Sequence, residues 1–254
     1  MKKAEEKLSR FYPLIAFLLF LAFWEYIAGK QLINTTFFPA PSKILDSFIK
    51  LTLNGDMLVG FLATFARMMG GLIIGSIIGA LLGLIMGRWK RLNDFLDPFI
   101  AALYPIPKIA IFPLLMVIFG FGEMSKLVAV ILSAFFPMLV TSLAGVRQIS
   151  PTYFEVGKNY GARRFDVITH ILLPGSLPSL MAGLRLATNT AFIVTISVEV
   201  LASNSGLGVL LWFGWQTFRV SELYAVLIVI SIFGVLVNQA IKWLSDWLVP
   251  WSEA

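Results

Sequence analysis

The sequence predicts an all-α protein that crosses a membrane several times. Hydrophobic residues make up 58% of the 254 residues and charged residues only 13%, whereas a soluble domain usually carries about 25% charged residues. The apolar residues fall in blocks of about 20, the length that a helix needs to cross a bilayer core. We therefore expect a polytopic helix bundle forming one domain over residues 1–254, with a core at about 58–246, and disfavour a soluble helical protein.

Six apolar stretches are predicted to span the membrane. They are Tyr12–Ala28, Leu58–Met86, Phe95–Phe119, Lys126–Val146, Ser176–Ala202 and Glu222–Ser245. The first resembles a signal peptide, but no small-residue cleavage site follows it, so we interpret it as a retained span. The third is predicted to be kinked or broken because it contains several prolines, which remove backbone donors: Pro98, Pro105, Pro107 and Pro113.

Basic residues are distributed unevenly between the loops. If the N-terminus is cytoplasmic, eleven basic residues lie in inner segments: Lys2, Lys3, Lys7, Arg10, Arg88, Lys90, Arg91, Arg147, Lys158, Arg163 and Arg164. Only four lie in outer segments: Lys30, Lys43, Lys50 and Arg219. The positive-inside rule therefore predicts a cytoplasmic N-terminus in a cell membrane. Topology also explains the net charge of +6 without nucleic-acid binding.

The second predicted span has a glycine at every fourth residue. These glycines form a bare groove in which another helix can approach closely: Gly71, Gly75, Gly79, Gly83 and Gly87. The pattern is compatible with packing inside the chain and with a moving or dimeric contact.

The loop between the fourth and fifth spans predicts a compact helix-turn-helix at positions 150–174. Ser150 and Pro151 suit the start of a short helix, and Gly161 suits the left-handed position after its end. A second short helix is expected from Ala162 to about Leu172, ending near Leu173 because Pro174 disfavours helical geometry in the residue before it. The segment is expected to expose aromatic residues beside charged ones, which indicates either a docking surface or an amphipathic linker on lipid headgroups. The aromatic residues are Tyr153, Phe154, Tyr160 and Phe165, and the charged ones are Glu155, Lys158, Arg163 and Arg164.

One set of spaced residues resembles the cytoplasmic motif of binding-protein-dependent ABC importer permeases. It starts at Glu155, continues with Gly161 after five intervening residues and Ile171 after nine more, and ends with Leu173 and Pro174 after one more. That motif begins Glu-Ala-Ala, and here Val156 and Gly157 replace the alanines. Further stretches are similar to the branch that handles nitrate, sulfonate, taurine and bicarbonate, whose relatives import vitamin precursors such as pyrimidines. The stretches of this sequence that carry the similarity are FPAPSKILDSF, LNGDMLVGFLATFARMMGG, YPIPKIAIFPLLMVIFGFGEMSK and VEVLASNSGLGVLL.

The resemblance implies a type I importer permease fold and a set of partners. The expected partners are a second permease copy, two ATP-binding subunits that use the ATP, and an extracytoplasmic solute-binding protein. The motif would be the coupling helix, in which Glu155 engages a basic group on the ATPase. Gly161 would permit the turn, and Pro174 would end the second helix.

Polar residues inside the spans are candidates for lining a solute pathway. Thr188, Thr195 and Glu199 fall within about 40° on one helix face, with Asn189 to the side. Arg67 and Lys108 are cations that would suit an anionic solute. Three structural alternatives stay open: the threonines bond their own helix backbone, Glu199 lies at the outer interface, and Lys108 either snorkels to the interface or bonds carbonyls freed by the prolines.

The sequence contains no phosphate loop of the GxxxxGK[ST] type, so ATP hydrolysis is expected in a separate partner. It shows no catalytic constellation and no metal-ligand cluster, His170 is the only histidine and cysteine is absent. We therefore expect no enzyme activity and no cofactor bound by this chain. The rival interpretation is a stand-alone secondary transporter, but no internal repeat supports it. A membrane-embedded enzyme is a third, disfavoured possibility.

Overall fold

A computed structural model describes residues 12–251 of the chain, and these form helices joined by short connections, with no strand among them. In order, the helices are α1 (Tyr12–Gly29), α2 (Pro41–Leu53), α3 (Asp56–Arg88), α4 (Lys90–Leu103), α5 (Lys108–Phe119), α6 (Glu123–Gln148), α7 (Pro151–Asn159), α8 (Arg164–Ala202), α9 (Leu207–Gln216) and α10 (Val220–Leu248).

Four helices in the described part of the chain are long and apolar enough to cross a membrane: α3, α6, α8 and α10. Helices α4 and α5 are long enough to cross a membrane only when they are taken as one span, and the angle between them is 99°. The bend lies at Tyr104–Pro107, where two prolines remove backbone donors, so the broken third span is confirmed. Helix α1 coincides with the first predicted span, although its apolar part, Ile15–Gly29, is short for a crossing.

The glycine face of α3 packs against α6 within the chain. A side-chain carbon added at Gly75, Gly79 or Gly83 would lie under 3.0 Å from carbonyl oxygens of α6. The backbones can approach this closely only because the glycines lack a Cβ. Of the two interpretations of the glycine repeat, the structure supports intramolecular packing. Helix α8 packs against α6 as well and also contacts α3, and the three helices form the centre of the bundle.

Helix α8 does not begin where the sequence predicts. The second short helix, expected to end near Leu173, instead continues through Pro174 into the fifth span. The turn Ile168–Leu172 is a π-helix, and Leu173 is helical at φ −63° and ψ −54°. A π-turn shifts the hydrogen-bond register, which accommodates a proline that has no N–H to donate. The assignment of Pro174 as a helix terminator is therefore wrong.

The described basic residues of the predicted inner segments gather at one end of the bundle, which we call the basic end. There Arg147 of α6 donates to Asn93 of α4 at 2.9 Å, and Gly145 lies against Ser179 of α8. Segment 150–174 lies at the same end. Lys2, Lys3, Lys7 and Arg10, on which the orientation also depends, lie outside the described residues.

Candidate coupling segment and polar sites within the membrane helices

The predicted short helix and glycine turn of segment 150–174 are confirmed. Helix α7 begins at Pro151, after Ser150 in an extended conformation with φ −56° and ψ 132°. Gly161 has φ +71° and donates its N–H to the carbonyl of Lys158 at 3.1 Å. A side-chain-bearing residue is strained at this left-handed position, so glycine is required by the backbone.

The motif residues of this segment divide into an exposed group and a packing group. Glu155 and Leu173 are exposed, and Glu155 forms no ion pair with the described residues. Ile171 is half-buried, and its Cδ1 would lie 3.0 Å from a Cβ added at Gly157. The small residue at position 157 therefore allows α7 to pack on the start of α8.

Three aromatic side chains of the segment are exposed, which both interpretations of the segment allow. Tyr153 is 64% exposed, Tyr160 89% and Phe165 72%. Phe154, which the sequence also predicts to be exposed, is half-buried against an apolar cluster that includes Leu84. The Arg88 guanidinium lies over its ring at 5.5 Å from the centroid.

An ionic cluster occupies the other end of the bundle. Arg67 of α3 uses all five of its N–H donors there: its Nη1 contacts Glu199 at 2.7 Å and the Ser205 carbonyl at 2.6 Å. Its Nε and Nη2 contact the carboxylate of Glu123 at 2.5 and 3.0 Å, and Nη2 also donates to the Ser205 hydroxyl at 3.0 Å. Lys126 contacts the same Glu123 carboxylate at 2.8 Å. The cluster ties α3, α6 and α8 to the loop before α9.

The carboxylate of Glu199 is fully enclosed, although it lies only three residues before the end of α8, as the structural alternative expects. It accepts hydrogen bonds from Thr64 at 2.8 Å and from the Gly208 N–H at 3.0 Å, in addition to Arg67. With its side chain 0% exposed, it is enclosed within the chain and does not face an open passage. It instead stabilises the packing of α8 on α3 and α9.

The two threonines of the predicted polar stripe follow the structural alternative. Thr188 donates to the Leu184 carbonyl at 2.7 Å and Thr195 to the Ala191 carbonyl at 2.8 Å. Both are buried inside the chain. Asn189 lies on the exposed side of α8, so it does not share a face with them.

Lys108 holds the broken span together. Its ammonium group donates to three carbonyls that the break leaves without helical partners, those of Leu103, Tyr104 and Ile106, at 2.8 to 3.0 Å. It also lies 4.2 Å from the centroid of the Phe136 ring. All three ammonium donors are used, which agrees with the alternative that Lys108 bonds freed carbonyls.

Sequence reasoning missed Arg185, which lies near the middle of α8 on its exposed side. It forms no hydrogen bond or ion pair with the described residues. Its position four residues before Asn189 was the available signal, because residues at i and i+4 share a helix face. The described residues also contain no group of three metal-ligating side chains.

Comparison with known proteins identifies the family. A family model described as "Binding-protein-dependent transport system inner membrane component" matches residues 71–253. The chain belongs to this family. The protein is thus the membrane permease of an ABC importer, as the coupling motif indicates.

Several curated relatives are transport permeases and match nearly the whole chain. The putative aliphatic sulfonates transport permease of Bacillus subtilis is 28% identical over 92% of this chain and 85% of its own. The taurine transport system permease of Escherichia coli is 28% identical over 91% and 86%. The formylaminopyrimidine transport permease of Halalkalibacterium halodurans is 30% identical over 100% and 99%.

A solved structure shows the same fold. A chain of the MetNI methionine ABC transporter, in an inward-facing conformation, superimposes with a TM-score of 0.63 at 19% identity. The match covers 76% of this chain and 96% of that one. The predicted all-α, type I importer permease fold is therefore confirmed.

Proposed function

We propose that two copies of this chain form the passage of an importer for small organic anions, with a sulfonate as the favoured solute group. An extracytoplasmic binding protein delivers the solute, and two separate ATP-binding subunits supply the energy. The N-terminus and the basic end lie in the cytoplasm, as the uneven distribution of basic residues supports.

The observation that carries this proposal is the geometry of segment 150–174. It presents an exposed carboxylate at Glu155 and exposed aromatic rings next to a glycine turn that fixes the direction of the chain. Because α7 packs on the start of α8 through Gly157 and Ile171, a force on α7 acts directly on a membrane helix. This arrangement suits a surface that transmits ATPase closure to the passage.

Substitutions in this segment test the coupling role. We expect Gly161→Val to leave the protein in the membrane but to weaken ATPase association and abolish uptake, because the left-handed turn costs a β-branched residue about 1–2 kcal/mol or more. Glu155→Lys should act similarly by reversing a charge at the contact. Membrane level, copurified ATPase and solute uptake are measured together.

Asn159→Ala provides a matched control, since Asn159 is exposed on the same short helix but lies outside the motif. It should retain ATPase binding and uptake. Normal uptake with full ATPase binding in both Gly161→Val and Glu155→Lys would show that this segment is not the coupling site.

A neutral vitamin precursor is the second candidate solute. The observation that favours it is the formylaminopyrimidine permease, which matches this chain over its whole length. Competition between a sulfonate and formylaminopyrimidine for uptake by the complete transporter separates the two candidates. A stand-alone secondary transporter would instead move solute without an ATPase.

A further inference from the structure

The exposed side of α8 carries two polar residues in the middle of the membrane span. Arg185 lies 12 residues after Leu173, or about 18 Å along the helix axis, and Asn189 follows one turn later. Thr190, next to Asn189, donates to the Ser133 carbonyl of α6 at 2.9 Å. Arg185 and Asn189 are therefore held at the depth of the centre of α6.

A guanidinium at this depth is unfavourable against hydrocarbon, so such a residue faces protein or a water-filled passage. The side of α8 opposite Arg185 is the one that packs on the bundle, through Ala187, Ala191 and Val198. Arg185 thus points away from the core of its own chain. In the proposed pair of copies, the passage between them would provide such surroundings.

Three other cations of the described spans already have partners within the chain. All five donors of Arg67 and all three donors of Lys108 have partners. Lys126 contacts Glu123 and Ser203. The donors of Arg185 stay available, because no described residue accepts from them.

One acidic residue of a second copy lies at a depth similar to that of Arg185. The other acidic residues of the membrane helices lie near helix ends or in the buried cluster: Glu25, Asp56, Asp94, Glu123, Asp166, Glu199, Glu222 and Asp246. Asp97 lies in the middle of α4, where its neighbours Leu96 and Ile100 pack against a cluster that includes Leu139 of α6. Gly183, two residues before Arg185, lies against Met138 and Thr141 of α6. Asp97 is therefore the one described acidic side chain of a membrane helix that could pair with Arg185 of a second copy.

We propose that Arg185 and Asn189 form the site in the passage that binds the anionic group of the solute. The planar guanidinium donates two parallel hydrogen bonds to a sulfonate or carboxylate, and the Asn189 amide donates a third. The inference rests on the proposed transport of a small anion and assigns its recognition to these two residues. This assignment explains why an arginine without a partner in its own chain is present at this depth.

Uptake by the complete transporter tests this assignment. Proteoliposomes containing the permease, its ATPase and its binding protein are supplied with ethanesulfonate, taurine or formylaminopyrimidine. We expect Arg185→Gln to lower sulfonate uptake about ten-fold or more, because it removes the charged partner of a desolvated pair. Arg185→Lys should retain an intermediate rate, and binding-protein-stimulated ATP hydrolysis should persist in both variants.

Arg219→Gln is the matched control, since Arg219 is exposed and lies at a helix end, where it contacts Glu222 at 3.4 Å. It should transport normally. The wild type could instead take up formylaminopyrimidine and neither ethanesulfonate nor taurine. That result would contradict the proposed solute class and therefore also the proposed anion site. Normal sulfonate uptake by Arg185→Gln would contradict the site alone and leave the proposed function standing.

Chemical rescue separates a charge at this position from a structural role. The natural chain has no cysteine, so Arg185→Cys can be modified selectively by thiol reagents in water. We expect an aminoethyl methanethiosulfonate to restore sulfonate uptake and a sulfonatoethyl one to block it, with solute slowing both reactions. Val235→Cys, at a 68% exposed apolar position of α10, should react slowly and show no protection.

Ion pairing with Asp97 of a second copy is the competing explanation for Arg185. In that case Asp97→Asn would lower uptake as much as Arg185→Gln, and the charge-exchanged double variant would recover it. That result would overturn the proposal, whereas normal uptake by Asp97→Asn supports it.

Discussion

Arg67 and Glu199 form the buried ion pair of the ionic cluster, and the packing of helices at that end of the bundle depends on it. Glu199 is enclosed and shares its oxygens among a guanidinium, a hydroxyl and a backbone N–H. Such a group is tolerable inside a membrane protein only while every partner is present. The cluster therefore stabilises one arrangement of α3, α8 and α9.

Removing the arginine from this cluster should be strongly destabilising. We expect Arg67→Gln to lower the free energy of unfolding by about 3–5 kcal/mol, because it leaves a buried carboxylate uncompensated. Thermal unfolding of the purified protein in detergent measures the loss. The double variant Arg67→Met with Glu199→Leu should recover much of it, since both charges are then absent.

Arg219→Gln serves as the comparison, because its pair with Glu222 is partly exposed and worth at most about 1 kcal/mol. Equal unfolding temperatures for Arg67→Gln and Arg219→Gln would contradict the role assigned to the buried cluster.

At the scale of elements, the contact between α3 and α6 depends on the absence of side chains. Gly79 faces the Phe135 carbonyl of α6 so closely that even a methyl group would overlap with it. Backbone cannot rotate away as a side chain can, so the helices would have to separate.

A single methyl group at Gly79 should therefore be costly. We expect Gly79→Ala to destabilise the protein by about 1–3 kcal/mol, in the range of overpacked cores. Gly122→Ala is the matched control, since a Cβ there meets nothing within 4 Å and its φ of −91° suits alanine. Unfolding of both variants in detergent gives the comparison, and similar stabilities would show that the two helices separate easily.

The long helix α8 joins the coupling segment to the membrane core without an interruption. Its π-turn at Ile168–Leu172 allows Pro174 to stay inside a continuous helix. A movement of segment 150–174 is therefore transmitted to α8 as a whole, including Arg185 and Glu199. This continuity connects the proposed ATPase contact with the proposed solute site and the ionic cluster.

At the scale of the whole molecule, the arrangement of basic residues predicts one orientation in the membrane. Cysteines introduced at Asn159, Asn54 and Asn204 all replace exposed residues of a cysteine-free chain. We expect a membrane-impermeant thiol reagent to label positions 54 and 204 in intact cells, and position 159 only after the cells are opened. Labelling of position 159 from outside would contradict the proposed orientation.

Local properties of the chain determined much of the architecture by themselves. The length of the apolar segments placed most boundaries of the membrane helices to within about five residues, since a bilayer has a set thickness. The start of α8 is the exception, because the helix begins at Arg164 and not at Ser176. The prolines at 105 and 107 predicted the break between α4 and α5. Gly161 predicted the left-handed turn, and the spacing from Glu155 to Pro174 indicated the family.

Only the tertiary structure decided what the polar residues of the spans do. Helical periodicity places Thr188, Thr195 and Glu199 on one face, but it does not say that α3 and α9 cover that face and enclose Glu199. Nor does it show that Arg185 and Asn189 are the residues left uncovered. The physical reason is that a membrane helix is apolar on nearly all sides, so its sequence does not distinguish the side that packs from the side that lines a passage. The neighbouring helices make that distinction.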